Sequence, residues 1–541
     1  MVALDYVNPN VLVGGVPTQL KRPFLCPRYD DNYYISNARL GALVPILAAV
    51  PGNPYGPALA VLTSLPGAGS DLAGAINAYL TGQYLKALDM RRIAHQMHSI
   101  WGGRGPHASC WTAGGITATV TSASIAKYQS LLNQLKTFIG EPTDFLTGHA
   151  GTMMFDTVAA AHLFPEYFWI GNAWAQFISN GWGEAAGHIP LTGDFGVLFP
   201  AGINNSDQRA IRRGYKLSAQ AGAAWNAVDI LHIGESIASS RYNKSGVNYP
   251  DGKAFKHPWV GETIPNTSEA YSWLKSPRYN IGGVVSGTQI VGGAWYSMEV
   301  GPLSRQVVNG NYWGGLLNGQ GTILGVNGLY PIAPVWGQAG PDCATGADAL
   351  GAALKPVYAG LPPATGGPNL SAVAYNGDST LDRIATRTTE ARIMIDMAQK
   401  ILNDLSGTVG GDGYGPSGCT DRFGENVPVK SQIYRGYGMT EASRGALSHW
   451  VALQNGKITS YQAVVPTTWN ASPRDANGYP GPAERSLEGN NVNTNVWVAD
   501  ANQPLEVVRA IHSYDFCIAC AVHLVTPKGD VVKVDIPALP G

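Results

Sequence analysis

Near one end of the chain, the run His512-Ser513-Tyr514-Asp515-Phe516-Cys517-Ile518-Ala519-Cys520-Ala521-Val522-His523 gathers two thiols and an imidazole. Thiolates are soft ligands for transition metals. Two cysteines three apart can turn both sulfurs toward one centre. The other cysteines, Cys26, Cys110, Cys343 and Cys419, form no second CxxC. The pair is therefore either an isolated redox dithiol or half of a metal site completed by another polypeptide. A second candidate is Arg444, set in Glu441-Ala442-Ser443-Arg444-Gly445-Ala446-Leu447-Ser448-His449-Trp450. A guanidinium among small and apolar neighbours is costly to bury unless it holds an anion or a charged group. On spacing alone a structural ion pair is the simpler reading. His95 and His98 have a metal-ligand spacing but no third ligand nearby, and read as structural. The cluster Gly410 to Gly415 lacks the Lys-Ser/Thr of a phosphate loop and is set aside.

The elements that must position these groups are expected to form an α+β, predominantly helical chain with long irregular insertions, folded as one large unit. Apolar periodicity predicts helices over Tyr84 to Trp101, Ser122 to Ile139 and Leu381 to Leu405. In the first, Leu85, Leu88, Ile93, Met97 and Ile100 are expected to face inward. Dense glycine and β-branched residues between Asn280 and Asn327 predict short strands and loops, and Tyr461 to Trp469 and Val531 to Ile536 read as strands.

Composition narrows the function classes. A formal net charge of -1 gives no electrostatic case for nucleic acid or an anionic membrane. Charged residues are only 13%, about half the roughly 25% of an average soluble protein. Broad contact with partner subunits accounts for that depletion; an extracytoplasmic protein from an acidic habitat is the alternative. The longest apolar run, Leu40 to Val50, contains a proline and falls short of the roughly 20 residues of a bilayer span. The segment MVALDYVNPN has no export-signal pattern, so export or membrane attachment is expected to come from a partner. Six cysteines in 541 residues make no disulfide framework.

Nine segments in consistent order carry a resemblance: GGRGPH (Gly102 to His107), HPWVGET (His257 to Thr263), YSWLKSPRY (Tyr271 to Tyr279), MEVGPLSR (Met298 to Arg305), STLDR (Ser379 to Arg383), TEASRGALSHW (Thr440 to Trp450), VVPTTWNASPRD (Val464 to Asp475), GPAERSLEG (Gly481 to Gly489) and DFCIACAVH (Asp515 to His523). Together they resemble the large subunit of nickel–iron hydrogenases. The resemblance implies a nickel–iron centre held by four cysteine thiolates, its iron carrying two cyanides and one carbon monoxide. Cys517 would be a terminal nickel ligand and Cys520 a ligand bridging to iron. Arg444 would stand over the open metal position, with Asp515 fixing its orientation. Leu447, Thr467 and Ser443 would lie around the diatomic ligands, Thr467 and Arg444 donating hydrogen bonds to cyanide. His523, with a main-chain carbonyl near Ala463, would bind magnesium. His107 would lie toward the proximal iron–sulfur cluster of a small subunit. The implied reaction is heterolytic cleavage of H2, with electrons passed to that iron–sulfur partner.

The family's other cysteine pair, RxCGxC, is expected upstream of a segment that here reads Ala3-Leu4-Asp5-Tyr6. A split large subunit, with a second chain carrying the missing CxxC, is preferred to a truncated or degenerate one. On that reading residues 1–523 form the large-subunit domain without its N-terminal segment, and 524–541 form a tail removed on maturation. A membrane electron-acceptor subunit is a further expected partner, nucleic acid is not, and the location is extracytoplasmic or membrane-associated, with cytoplasmic as the alternative. An H2 sensor and a metal-free structural subunit are the alternative functions. The family usually has proline where Ser443 and Phe516 stand, so the backbone beside ligand and canopy is expected to be looser.

Overall fold

The computed structural model describes residues 63–139 (with gaps at 106 and 113–114), 176–179, 214–217, 226–242, 255–260, 274–309, 431–488 and 510–517, with scattered positions in 41–45, 266–268, 380–406, 524–525 and 531–532. The chain divides into two compact units and not the single one expected. One comprises Met1–Val2, Thr157–Arg387 and Pro428–Asp535, the other Ala3–Asp156, Thr388–Val427 and Ile536–Gly541. Each draws its core from segments far apart in sequence, which local periodicity does not reveal.

The second unit is built on two helices. Helix α1 (Ala68–Gly102) begins well before the expected Tyr84, because Gly67 in a left-handed conformation is its entry point and Asp71 only interrupts it. Gly103, at φ 78, ends it by donating its N–H to Ser99 O, a glycine C-cap. Its inward stripe differs from the expected one. Ile93 and Met97 are buried with Met90 and Trp101 against them, whereas Leu85 and Leu88 are about half exposed. Helix α2 (Ser122–Ile139) has the predicted bounds. A reciprocal box starts it: Ser124 N–H donates to Thr121 Oγ1 at 3.1 Å and Thr121 N–H to Ser124 Oγ at 2.9 Å. Leu132 packs with Ile93, Met97, Ile395 and Leu402. Trp101 stacks on Tyr128 at 4.9 Å and donates to Ser124 Oγ. The described positions of the predicted Leu381 to Leu405 helix, including Arg383, Ile395 and Leu402, are helical.

The first unit is built on sheets that are antiparallel except where Met298–Glu299 pairs in parallel with Gln176–Phe177. Strands β1 (Ile233–Ser236), β2 (Ser276–Ile281) and β3 (Ala294–Tyr296) form one, ordered β1-β2-β3. Strand β4 (Met298–Glu299) leads at once into helix α3 (Pro302–Asn309). A three-stranded meander follows, of β5 (Tyr434–Ala442), β6 (Gly445–Gln454) and β7 (Lys457–Val464). After it come the short helices α4 (Pro466–Asn470) and α5 (Pro482–Glu488). The core between them holds Ile233, Tyr279, Met298, Val300, Met439, Ala446, Trp450, Val464 and Trp469, and burying each large side chain contributes about 1.5–3 kcal/mol. Two expected strand regions are corrected. Residues 302–309 and 466–470 are helical, each started by a proline whose fixed φ suits a first helical turn. Of the strand expected over Val531 to Ile536, the described part is Val531–Val532, paired with Leu524–Val525. Among the described residues no helix is long and apolar enough to cross a membrane.

Candidate active site

Arg444 sits in the two-residue turn joining β5 to β6, closed by the Ala442 and Gly445 pair. Gly445 has φ 133, and a Cβ there would lie 2.6 Å from Val300 Cγ2 and 2.7 Å from Gly301 N. No other residue lets the turn press this closely on Val300 and Gly301. Beneath it, the fully buried Arg305 of α3 donates Nη1 to Glu441 Oε2 and to Ala442 O, both at 2.8 Å, and Nη2 to Ser443 O at 3.1 Å. Ser443 is exposed, with its carbonyl held by Arg305 in place of the expected proline's rigidity.

The Cys517 segment arrives from the other side. A helical turn ends at Ser513, and Asp515 takes the left-handed φ of 53, rare outside glycine. Tyr514 is buried, donates to Pro482 O at 3.1 Å, and lies under the Arg383 guanidinium, 4.0 Å from ring centroid to Cζ. Phe516 stacks on Tyr514 at 5.6 Å and 19°, so an aromatic contact takes the place of the expected proline. Cys517 N–H donates to Thr467 Oγ1 at 3.1 Å. Thr467 is buried in α4, which Asn470 ties to Val300 through two hydrogen bonds, 2.9 Å from Val300 N–H and 2.7 Å to Val300 O.

Arg444 meets this segment directly. Its Nε donates to Asp515 O at 2.8 Å, while Asp515 Oδ2 lies 3.6 Å away. The expected pairing of Arg444 with Asp515 is therefore met first through the main-chain carbonyl and second through the carboxylate. Both side chains keep 33% and 25% of their surface, so solvent screens the charge attraction and the carbonyl bond sets the geometry. Leu447 is half-buried on β6, opposite Thr440. The His107 side chain is exposed, in the other unit, and its carbonyl accepts from Arg104. Ala463 lies in β7 paired with His449. Cys520 and His523 lie outside the described residues. Among those described, no three His, Cys, Asp or Glu gather as a metal site. The donor set nonetheless fits one edge of a thiolate-held centre, with the Cys517 thiol, the Arg444 cation and the Thr467 hydroxyl linked through residues 515–517.

Sequence reasoning missed the scaffold beneath. The motif segments pair off as buried ions. Arg278 with Asp475 joins YSWLKSPRY to VVPTTWNASPRD, Arg305 with Glu441 joins MEVGPLSR to TEASRGALSHW, and Arg383 with Glu299 joins STLDR to MEVGPLSR. Lys275 contacts both oxygens of the buried Glu235, at 2.7 and 2.8 Å. Burial raises the Glu235 pKa against the opposing pull of Lys275. Behind β6, His257 sits edge-on to Trp450. Its Nδ1 accepts from Trp259 N–H at 3.2 Å and its Nε2 lies 3.3 Å from Ile230 O, an arrangement for the neutral ring. Burial pushes its pKa down from 6.5 to about 4. The signal for the pairs was the one or two charges within each otherwise uncharged motif; the partner was not readable.

A family model described as nickel-dependent hydrogenase matches residues 69–312 and 368–523. The chain is 30% identical over 470 residues to the Hydrogenase-2 large chain of Escherichia coli, covering 85% of this chain and 68% of that one. It is 29% identical to the quinone-reactive Ni/Fe-hydrogenase large chain of Wolinella succinogenes, covering 84% and 65%, so it spans about two thirds of such relatives. The [NiFeSe]-hydrogenase of Desulfomicrobium baculatum shares the fold, with TM-score 0.53 at 23% identity over 93% of this chain and 86% of that one. With five of the motif segments joined by buried ion pairs beneath Arg444, these likenesses place the chain in the nickel-dependent hydrogenase family, as a hydrogenase large-subunit relative.

Proposed function

We propose that the chain is the C-terminal part of a catalytic hydrogenase large subunit that cleaves H2 heterolytically. The observation that carries this reading is the Arg444 Nε bond to Asp515 O beside Cys517, the geometry a canopy over a thiolate-held metal needs. A nickel–iron centre, held here by Cys517 and Cys520, would supply the Lewis acidity and the first electron acceptor. Arg444 acts electrostatically, since a guanidinium is too weak an acid to release its proton readily and serve as a base. The Cys517 thiolate takes the proton released from H2. The Thr467 hydroxyl accepts from Cys517 N–H, which leaves its own proton to donate toward a cyanide. Leu447 and Ser443 would border the same ligands.

Two more thiolates are required, and we assign them to polypeptide outside residues 1–541 that carries a CxxC. An iron–sulfur small subunit receives the electrons, with His107 on its side and a membrane subunit beyond it. His523 and the carbonyl near Ala463 would hold magnesium. Residues 1–523 form the large-subunit domain, and 524–541 a tail removed on maturation. The location is extracytoplasmic or membrane-associated. Arg444→Lys tests the reading in the complex purified with its partners. Nickel content is expected to stay at the wild-type level while H2-dependent dye reduction per nickel falls roughly 100-fold. Wild-type turnover in that variant would contradict it.

A further inference from the structure

The eight residues Met298 to Arg305 contact the β5–β6 turn and α4 directly, and they reach the Cys517 segment through Arg383. Glu299, buried, grips Arg383 with both oxygens, at 2.8 and 3.0 Å. Arg383 in turn lies over the Tyr514 ring, three residues before Cys517. Val300 exchanges two hydrogen bonds with Asn470, three residues after Thr467. Gly301 has φ 126, and a Cβ there would stand 3.2 Å from Arg444 O. Arg305 spends Nη1 and Nη2 on Glu441 and on the carbonyls of Ala442 and Ser443, which lead into Arg444.

Fully desolvated ion pairs are poor sources of stability, because desolvation cancels most of the attraction and apolar side chains of similar volume do as well. What such pairs supply is direction. A planar guanidinium with fixed donors holds two successive carbonyls and a carboxylate in one geometry, which an ammonium cannot reproduce. One short segment thus reaches both halves of the site, Arg305 toward the Arg444 turn and Glu299, through Arg383, toward the Cys517 segment.

We infer that Glu299 and Arg305 are positioning residues that set the spacing between Arg444 and Cys517. Its consequence for turnover rests on the function proposed above; its structural part does not. Rigid placement is what this chemistry requires, since misplacement by about 1 Å costs roughly 100-fold in rate.

The test uses the intact complex and two conservative variants, Arg305→Lys and Glu299→Gln, with Ile237→Ala as a buried truncation outside the site's core cluster. Amide exchange by mass spectrometry reads the two segments separately. Arg305→Lys is expected to speed exchange over residues 442–446 by about tenfold and leave 510–517 within about twofold. Glu299→Gln is expected to do the reverse. Turnover per bound nickel should fall roughly 10- to 100-fold in both, with KM little changed, while Ile237→Ala lowers Tm and keeps turnover per nickel. Exchange that is unchanged, or that rises uniformly as in Ile237→Ala, overturns the inference. So does local loosening with wild-type turnover per nickel. Should Arg305→Lys fail to assemble, Glu441→Gln removes only the charge of the pair and is judged by the same readouts. A wild-type complex without nickel or H2 turnover would defeat the proposed function, while the exchange data would still decide whether the segment holds the two loops.

Discussion

Asp475→Ala should be among the most damaging single changes in the first unit. Arg278 uses all five of its donors: Nε on Asp475 Oδ2 at 2.8 Å, Nη1 on Pro277 O and Ser472 Oγ at 2.9 Å, and Nη2 on Pro473 O at 3.1 Å and Tyr479 O at 3.0 Å. Both charged side chains are fully buried. Asp475 Oδ1 also accepts from Asn477 N–H and Tyr479 N–H, shaping the loop after α4. Removing the carboxylate strands a buried cation and two amides, a loss of about 3–5 kcal/mol. At roughly 2–4 °C per kcal/mol for a sizeable domain, Tm should drop by about 10 °C in thermal unfolding followed by near-ultraviolet circular dichroism. Arg474→Ala next door removes an exposed side chain bonded to Gly478 O and should cost at most about 1 kcal/mol. Equal loss in the two variants would refute the claim that burial of the pair sets the cost.

The remaining predictions concern pH and the site itself. His257 is held neutral, with a folded pKa of about 4 against 6.5 when unfolded, so between those values the unfolded chain binds the extra proton. Stability should rise with pH across that window by about 3 kcal/mol, and His257→Gln should flatten the curve; a wild-type denaturation midpoint constant from pH 6.5 to 4 would contradict this. Gly445→Ala must move Val300 or the turn and should lower stability by about 2 kcal/mol or more, whereas Gly478→Ala, with open space around it, carries only the strain of its positive φ. Thr467→Val keeps the shape but removes the acceptor for Cys517 N–H, at a cost of about 1–3 kcal/mol. Faster amide exchange at Cys517 checks it, and unchanged protection would count against the bond.

What the sequence disclosed was local. The period of apolar residues placed α2 to the residue, and the family resemblance placed Arg444 beside Asp515. Tertiary choices were hidden. Leu85 and Leu88 share the helical period of Ile93 and Met97 but not the buried face, since the partner helix covers only one part of α1. The β-branched runs were read through Pro302 and Pro466 as strand, although a proline at the start of a run is also a helix signal. Partners 84 to 197 residues apart, as in Arg383 with Glu299 and Arg278 with Asp475, leave no mark in any local window.

The central claim is that Cys517 and Cys520 are half of a nickel–iron site, with Arg444 above it. Metal quantification of the complex purified from its native host, beside Cys517→Ser and Cys520→Ser, tests it most directly. Nickel and iron in about equal amounts in the wild type, with nickel lost from both variants, is the predicted result. A fully assembled wild-type complex without nickel, or variants that retain it, would contradict the account.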